Sequence, residues 1–204
     1  MGYTHYWYRI RELPKKEFVQ TVEDFKRLLP LFKVLDVKLG DGRGENEPIL
    51  NDDDVIFNGL VKCGHPVNNE IVIPWPATTR DKIATKNGVA PNSEDAIVGH
   101  WFAGVTLNQR TCNGDCSYET FDFPRVFKSD YEQKKEGTEL LLACCKTAYR
   151  PYDLAVTAFL IIAKHYLGEA IRVSSDGEMK DWWDAATMCQ NALGYGHDFK
   201  LRDD

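Results

Sequence analysis

Lys146, Thr147 and Arg150 lie close together in the sequence, and Ser174, Ser175 and Asp176 are consecutive. Cations beside hydroxyls are what a phosphate or carboxylate needs, and arginine offers such an anion a two-pronged fork. His5 adds a group able to give or take a proton near neutral pH. Asp176 could orient His5, or accept from a ribose hydroxyl. Tyr3 and Trp7 offer ring faces on which a base could stack. A second set, Cys63, His65, Cys112 and Cys116, has the types and number of ligands that a closed tetrahedral zinc site uses. Its spacing departs from two-residue knuckles, and its halves are far apart in the sequence.

Each set has a plainer reading. Asp153 and Ser175 could simply cap helices, His5 could be a satisfied core histidine, and Arg150 could pair with Asp153. The four metal candidates could be turn residues with free thiols. Other features carry less. Cys144 and Cys145 are neighbours facing opposite sides of a strand, which suits a buried thiol better than a nucleophile. Gly40, Gly42 and Gly44 are followed by no Gly-Lys-Ser/Thr, and Asp52 to Asp54 lack the rest of a calcium loop. Trp182 and Trp183 read as packing. Asp153, Thr157 and Lys164 form a thin polar stripe on an otherwise apolar helix.

The elements that must position these residues follow from periodicity. Residues 3–10 are aromatic and β-branched, a strand with Tyr3, His5 and Trp7 on one face and Thr4, Tyr6 and Tyr8 on the other. Phe18, Val22, Phe25 and Leu29 mark a helix that Pro30 should stop. Val55 to Phe57 and Glu119 to Phe123 read as strands. Residues 60–118 read as a long irregular insertion holding two short strands, Ile71 to Ile73 and Trp101 to Leu107. Ser129 to Gly137 is a charged turn. Leu140 to Thr147 is a strand rather than a helix, because Pro151 opens a fresh helix that runs to Leu167 and ends at Gly168. Ile171 to Ser174 is a strand. Ser175 to Glu178 resembles a capping box before a last helix, whose inner side carries Met179, Trp182, Trp183 and Ala186.

This order predicts one α+β domain over 1–204, built on the ferredoxin-like split βαβ plan, with the 60–118 insertion and an extra C-terminal helix. In that plan the strands ending at Lys146–Thr147 and at Ser174–Ser175 are parallel, and the N-terminal strand runs antiparallel between them. Tyr3 to His5, Lys146 to Arg150 and Ser174 to Asp176 then share one sheet edge. Two helix N-termini, with their free N–H groups, point to the same edge.

A formal net charge of −6 and a pI of about 5.4 argue against general nucleic-acid binding, which needs a basic face. No apolar stretch approaches the roughly 20 residues of a membrane span. With no basic, apolar leader at the N-terminus, the expectation is a cytoplasmic protein whose six cysteines are thiols or metal ligands.

Gly2 to Trp7, Cys112 to Phe121, Cys145 to Thr147 with Pro151 to Asp153, and Arg172 to Gly177 together resemble a group of uncharacterised phage and bacterial proteins that open with this aromatic strand. The resemblance implies a cytosolic, virus-encoded origin and carries no catalytic role. The leading expectation is a protein that binds a small anionic, nucleotide-like ligand through Tyr3, Trp7, Lys146, Thr147, Arg150, Ser174 and Ser175, and so sequesters a host nucleotide signal. The first alternative is a hydrolase or transferase acting on a phosphate-containing substrate, with His5 and Asp176 catalytic. The second is a protein–protein inhibitor of a host factor. Zinc at Cys63, His65, Cys112 and Cys116 is the one cofactor expected.

Overall fold

The computed structural model describes residues 2–65, 67–68, 110–127 and 139–201. The two strands expected at Ile71 to Ile73 and Trp101 to Leu107, and the turn at 129–137, lie outside them. The first strand, β1 (Thr4–Arg9), alternates as its period of two requires. His5, Trp7 and Arg9 are buried, while Thr4, Tyr6 and Tyr8 are half-buried. It is the centre of a three-stranded sheet, flanked by β8 (Leu141–Lys146) and β9 (Ile171–Ser175), both antiparallel to it. Register places His5 opposite Cys145 on one side and Ser175 on the other. The ends of β8 and β9 therefore flank the start of β1, which brings 3–5, 146–150 and 174–176 together.

A second sheet is built on β4 (Asp54–Gly59). The short strands β2 (Leu39–Gly40) and β3 (Ile49–Leu50) pair with β4, as does β7 (Phe121–Pro124). Between β2 and β3 the glycine-rich stretch closes around Asp41. Its carboxylate accepts the Arg43 and Glu45 N–H groups and the Asn46 amide. That is a self-satisfied turn and not a phosphate loop. A two-stranded ribbon, β5 (Val67–Asn68) with β6 (Cys112–Asn113), completes the strands. The described part is thus α+β with antiparallel sheets, and no described helix is long and apolar enough to cross a membrane.

Among the described residues three helices cover these sheets. The first, α1 (Lys15–Val34), runs through Pro30, where the sequence predicts a stop. The ring removes one N–H donor, but Leu31 and Phe32 beyond it are buried and hold the last turn against the core. The second, α2 (Asp153–Leu167), is buried on nearly every side and ends at Gly168. The third, α3 (Trp183–Leu193), follows a 3-10 turn over Met179–Trp182. The capping box there is Glu178 with Asp181, not one built on Ser175. Trp182 is fully buried, but Trp183 is 63% exposed, contrary to its expected inward place.

One core joins both sheets. Phe159 of α2 meets Phe25 of α1 and Phe121 and Phe123 of β7 edge-on, at centroid distances of 5.0–5.2 Å. Such T-shaped contacts set a ring's positive edge against a negative face. Trp7 belongs to this cluster. It is 1% exposed and packs against Phe121 and Phe123. It therefore has no free face for a ligand, which corrects its expected stacking role.

Candidate metal cluster and sheet-edge site

The metal candidates come together. The ligand atoms of Cys63, His65, Cys112 and Cys116 all lie within 4.8 Å of one another, and all four residues are buried. Cys112 Sγ is 3.5 Å from Cys63 Sγ and 3.3 Å from Cys116 Sγ, and His65 Nδ1 is 3.1 Å from Cys116 Sγ. Metal–sulfur bonds of about 2.3 Å in a tetrahedron put sulfurs about 3.8 Å apart, so a small outward adjustment would accommodate a cation. The far nitrogen, His65 Nε2, lies 3.0 Å from Asp36 Oδ2. A carboxylate behind a ligating imidazole fixes its tautomer and raises its basicity. Lys38 donates to the Cys63 carbonyl at 2.6 Å and pairs with Asp36.

The fold explains how distant cysteines meet. The β5–β6 ribbon sets Asn68 opposite Cys112, and the Cys116 N–H donates to the Leu60 carbonyl just past β4. Gly59 is required there, since a Cβ on it would collide with the Cys116 carbonyl. These four residues are thus a group able to hold a metal ion. Burial pushes the Cys112 and Cys116 thiols above their ordinary value, and a bound cation would reverse that preference by stabilising thiolates.

No protein-family model, curated protein or solved structure matches the chain. The site must be read from its own geometry.

At the sheet edge, His5 is fully buried and bonded at both nitrogens. Nδ1 lies 3.0 Å from Ser175 Oγ, and Nε2 lies 2.7 Å from Asp153 Oδ1. Asp153, on the first turn of α2, is the hub. Its Oδ1 also accepts the Thr147 hydroxyl at 2.5 Å, and its Oδ2 accepts Arg110 Nε at 2.9 Å. Arg110 continues to Asp184 of α3, Nη1 to Oδ2, at 2.6 Å. Burial opposes ionisation of Asp153, yet neighbouring His5, the Arg110 charge and the bonds from His5 and Thr147 outweigh it and hold the carboxyl at about 2. Asp176 does not orient His5. It accepts the Thr4 N–H at 3.0 Å and the Tyr6 hydroxyl at 3.2 Å, on the other face of β1. Arg150 is not the partner of Asp153 either. Arg110 has that place, and Arg150 Nη1 donates to the Asp115 carbonyl at 3.0 Å.

The remaining edge residues divide. Tyr3 is buried and stacked on Tyr149 at 3.7 Å, and among the described residues its Oη has no hydrogen-bond partner. Ser174 Oγ is likewise buried and unpartnered. Ser175 Oγ accepts the Gly177 N–H at 3.0 Å. The Lys146 ammonium lies 5.7 Å from the centre of the Tyr118 ring. Glu119 spends its carboxylate on the Lys146 backbone N–H, at 2.7 Å. The helix N-termini are not open to a ligand as expected. The start of α2 is buried and its first N–H groups bond to the Arg150, Pro151 and Tyr152 carbonyls, while Glu178 and Asp181 cap the turn before α3. Ala148 and Tyr149, both at positive φ (50° and 56°), turn the chain between β8 and α2. Consecutive left-handed residues without glycine store strain, which is typical of sites that the surrounding structure holds in place.

Proposed function

We propose that the chain is a zinc-stapled protein that binds a small anionic, nucleotide-like ligand at the end of β8. Three cysteines and one histidine form a closed site, of the kind that holds zinc for structure and not for catalysis. The zinc would fasten the 112–116 turn, and the residues that follow it lie against the edge. Tyr118 covers Lys146, Glu119 bonds its backbone, and Asp115 supports Arg150. One observation carries the ligand reading. Among the described residues the Lys146 ammonium makes no ion pair or hydrogen bond, and the guanidinium of Arg150 bonds to a carbonyl alone. Two cations without carboxylates on one edge favour an anion. The ferredoxin-like plan belongs to the same reading. In it β8, β1 and β9 form three of the four strands, and the ligand sits where their loops converge. On the virus-encoded origin that the resemblance implies, the site would sequester a host nucleotide signal.

Calorimetric titration with pyrophosphate and with ADP tests this. Losing one charge-assisted contact costs about 1.5–3 kcal/mol, so Lys146→Ala and Arg150→Ala should each weaken binding about 10- to 100-fold. Unchanged affinity in both variants, or no binding of either probe to the wild type, refutes the placement.

A further inference from the structure

We propose that Ser175 is the nucleophile of an ester-cleaving centre, with His5 as its base and Tyr3 Oη as the donor that receives the developing negative charge. This goes beyond ligand binding and does not depend on it. The line Ser175 Oγ, His5 Nδ1, His5 Nε2, Asp153 Oδ1 has separations of 3.0 and 2.7 Å at its two hydrogen bonds. Nucleophile to base to orienting carboxylate is the arrangement by which an ordinary serine hydroxyl becomes reactive. Asp153 is the positioning residue. With its Oδ1 accepting from Nε2–H, it fixes the tautomer in which Nδ1 is the free acceptor facing Ser175. Arg110 holds its other oxygen. The imidazole is clamped edge-on between Tyr3 and Trp182, each with its ring centre 4.9 Å away and nearly perpendicular.

The second, independent observation is Tyr3. Its hydroxyl is buried and unpartnered among the described residues, a condition buried polar groups rarely keep. It lies over Gly177, so close that a Cβ there would collide with Oη. Gly177 in turn donates its N–H to Ser175 Oγ. A packing role for the His5 network accounts for Asp153 and Arg110 but leaves this hydroxyl unexplained. A carbonyl oxygen carried by a substrate at Ser175 would satisfy it. Burial, followed by the nearby Asp153 charge, pushes the Tyr3 phenol upward, so it remains a donor across the neutral range. Ser175 is only half-buried, unlike His5 and Asp153, and is the member of the line that a substrate would reach.

The step balances with water as co-reactant. Ser175 Oγ bonds to the carbonyl carbon of a carboxylic ester while His5 Nδ1 takes its proton, and the carbonyl electron pair moves to the oxygen facing Tyr3 Oη. Collapse breaks the carbon–alkoxide bond, and the leaving alkoxide takes the proton from His5. Water then attacks the acyl-serine and gives a proton to His5. Ser175 Oγ departs with that proton, releasing the carboxylic acid.

Labelling with a fluorophosphonate, read by intact mass and peptide mapping, tests the assignment. The wild type should gain one adduct, on Ser175. Ser175→Ala should gain none, and His5→Gln should label at least about 100-fold more slowly, the usual contribution of a positioned base. Tyr3→Phe removes one oxygen that has no partner, so its urea midpoint should not fall, yet its labelling should slow about 10-fold or more. It keeps the test decisive should His5→Gln fail to fold. Absence of the Ser175 adduct in folded wild type, or equal labelling rates in wild type and Tyr3→Phe, overturns the proposal. Neither result bears on pyrophosphate or ADP affinity.

Discussion

Asp153→Asn removes the charge on which three elements converge. The native carboxylate is 1% exposed and accepts from His5, Thr147 and Arg110. The asparagine keeps the shape but leaves Arg110 and His5 facing a neutral group. Removing one partner of a buried pair costs about 3–5 kcal/mol. With a urea m value of about 2–3 kcal/mol/M, the midpoint at pH 7 should fall by about 1–2 M. A second signature follows from titration. The native carboxyl is held at about 2, below its ordinary 3.8, so it adds stability above the unfolded value that is lost as pH falls through the folded one. Between the ordinary and the folded value that contribution is about 2 kcal/mol, of which about 1 kcal/mol is gone by pH 3. The substituted amide has no such proton. Urea stabilities of both proteins, measured from pH 5, where histidine of the unfolded chain is already protonated, down to pH 3 at constant m, should therefore converge by about 1 kcal/mol. The comparison is made with metal removed from both proteins, since Arg110, the partner of Asp153, stands two residues from Cys112. Curves that stay parallel, or a pH 7 loss under about 1 kcal/mol, refute the view of Asp153 as an ionised, paired hub.

Three further outcomes are expected. Metal analysis of protein purified under reducing conditions should give one zinc per chain, falling to near zero in Cys112→Ser. Asp36→Ala should retain zinc but bind it about 10- to 100-fold more weakly in competition with a chelator, because His65 Nε2 loses its carboxylate. Phe159→Ala should cost about 3–5 kcal/mol in urea unfolding, as its ring fills the junction of Phe25, Phe121 and Phe123.

The sheet was legible where residues alternate or break sharply. The period of two in β1 places Trp7 and His5 on one face, and Pro151 separates β8 from α2, which is enough to bring the three chain segments to one edge. The pattern could not say which acid meets His5. Asp176 and Asp153 both lie beside that edge, and only register shows Asp176 turned to the Tyr6 face. Arg110 had no signal at all. It follows an aperiodic stretch, and its partners Asp153 and Asp184 sit on separate helices. The ring chemistry of Trp7 suits a ligand edge, whereas packing against Phe121 and Phe123 decides its place. The metal group was legible by residue type but not by spacing, because the spacing is created by the β5–β6 ribbon. Asp36, behind His65, sits at positive φ just past α1, and nothing in its neighbourhood marks it as a ligand's support.

The β5–β6 ribbon also acts as a clasp. Asn68 and Cys112 are cross-strand partners, so the polypeptide departs and returns at a single doorway beside the metal cluster. Loop closure depends only weakly on length, with a halving worth about 0.6 kcal/mol. On closure entropy alone the length of chain between Asn68 and Arg110 matters little; what matters is that it returns to Arg110, whose guanidinium keys it to Asp153 and Asp184.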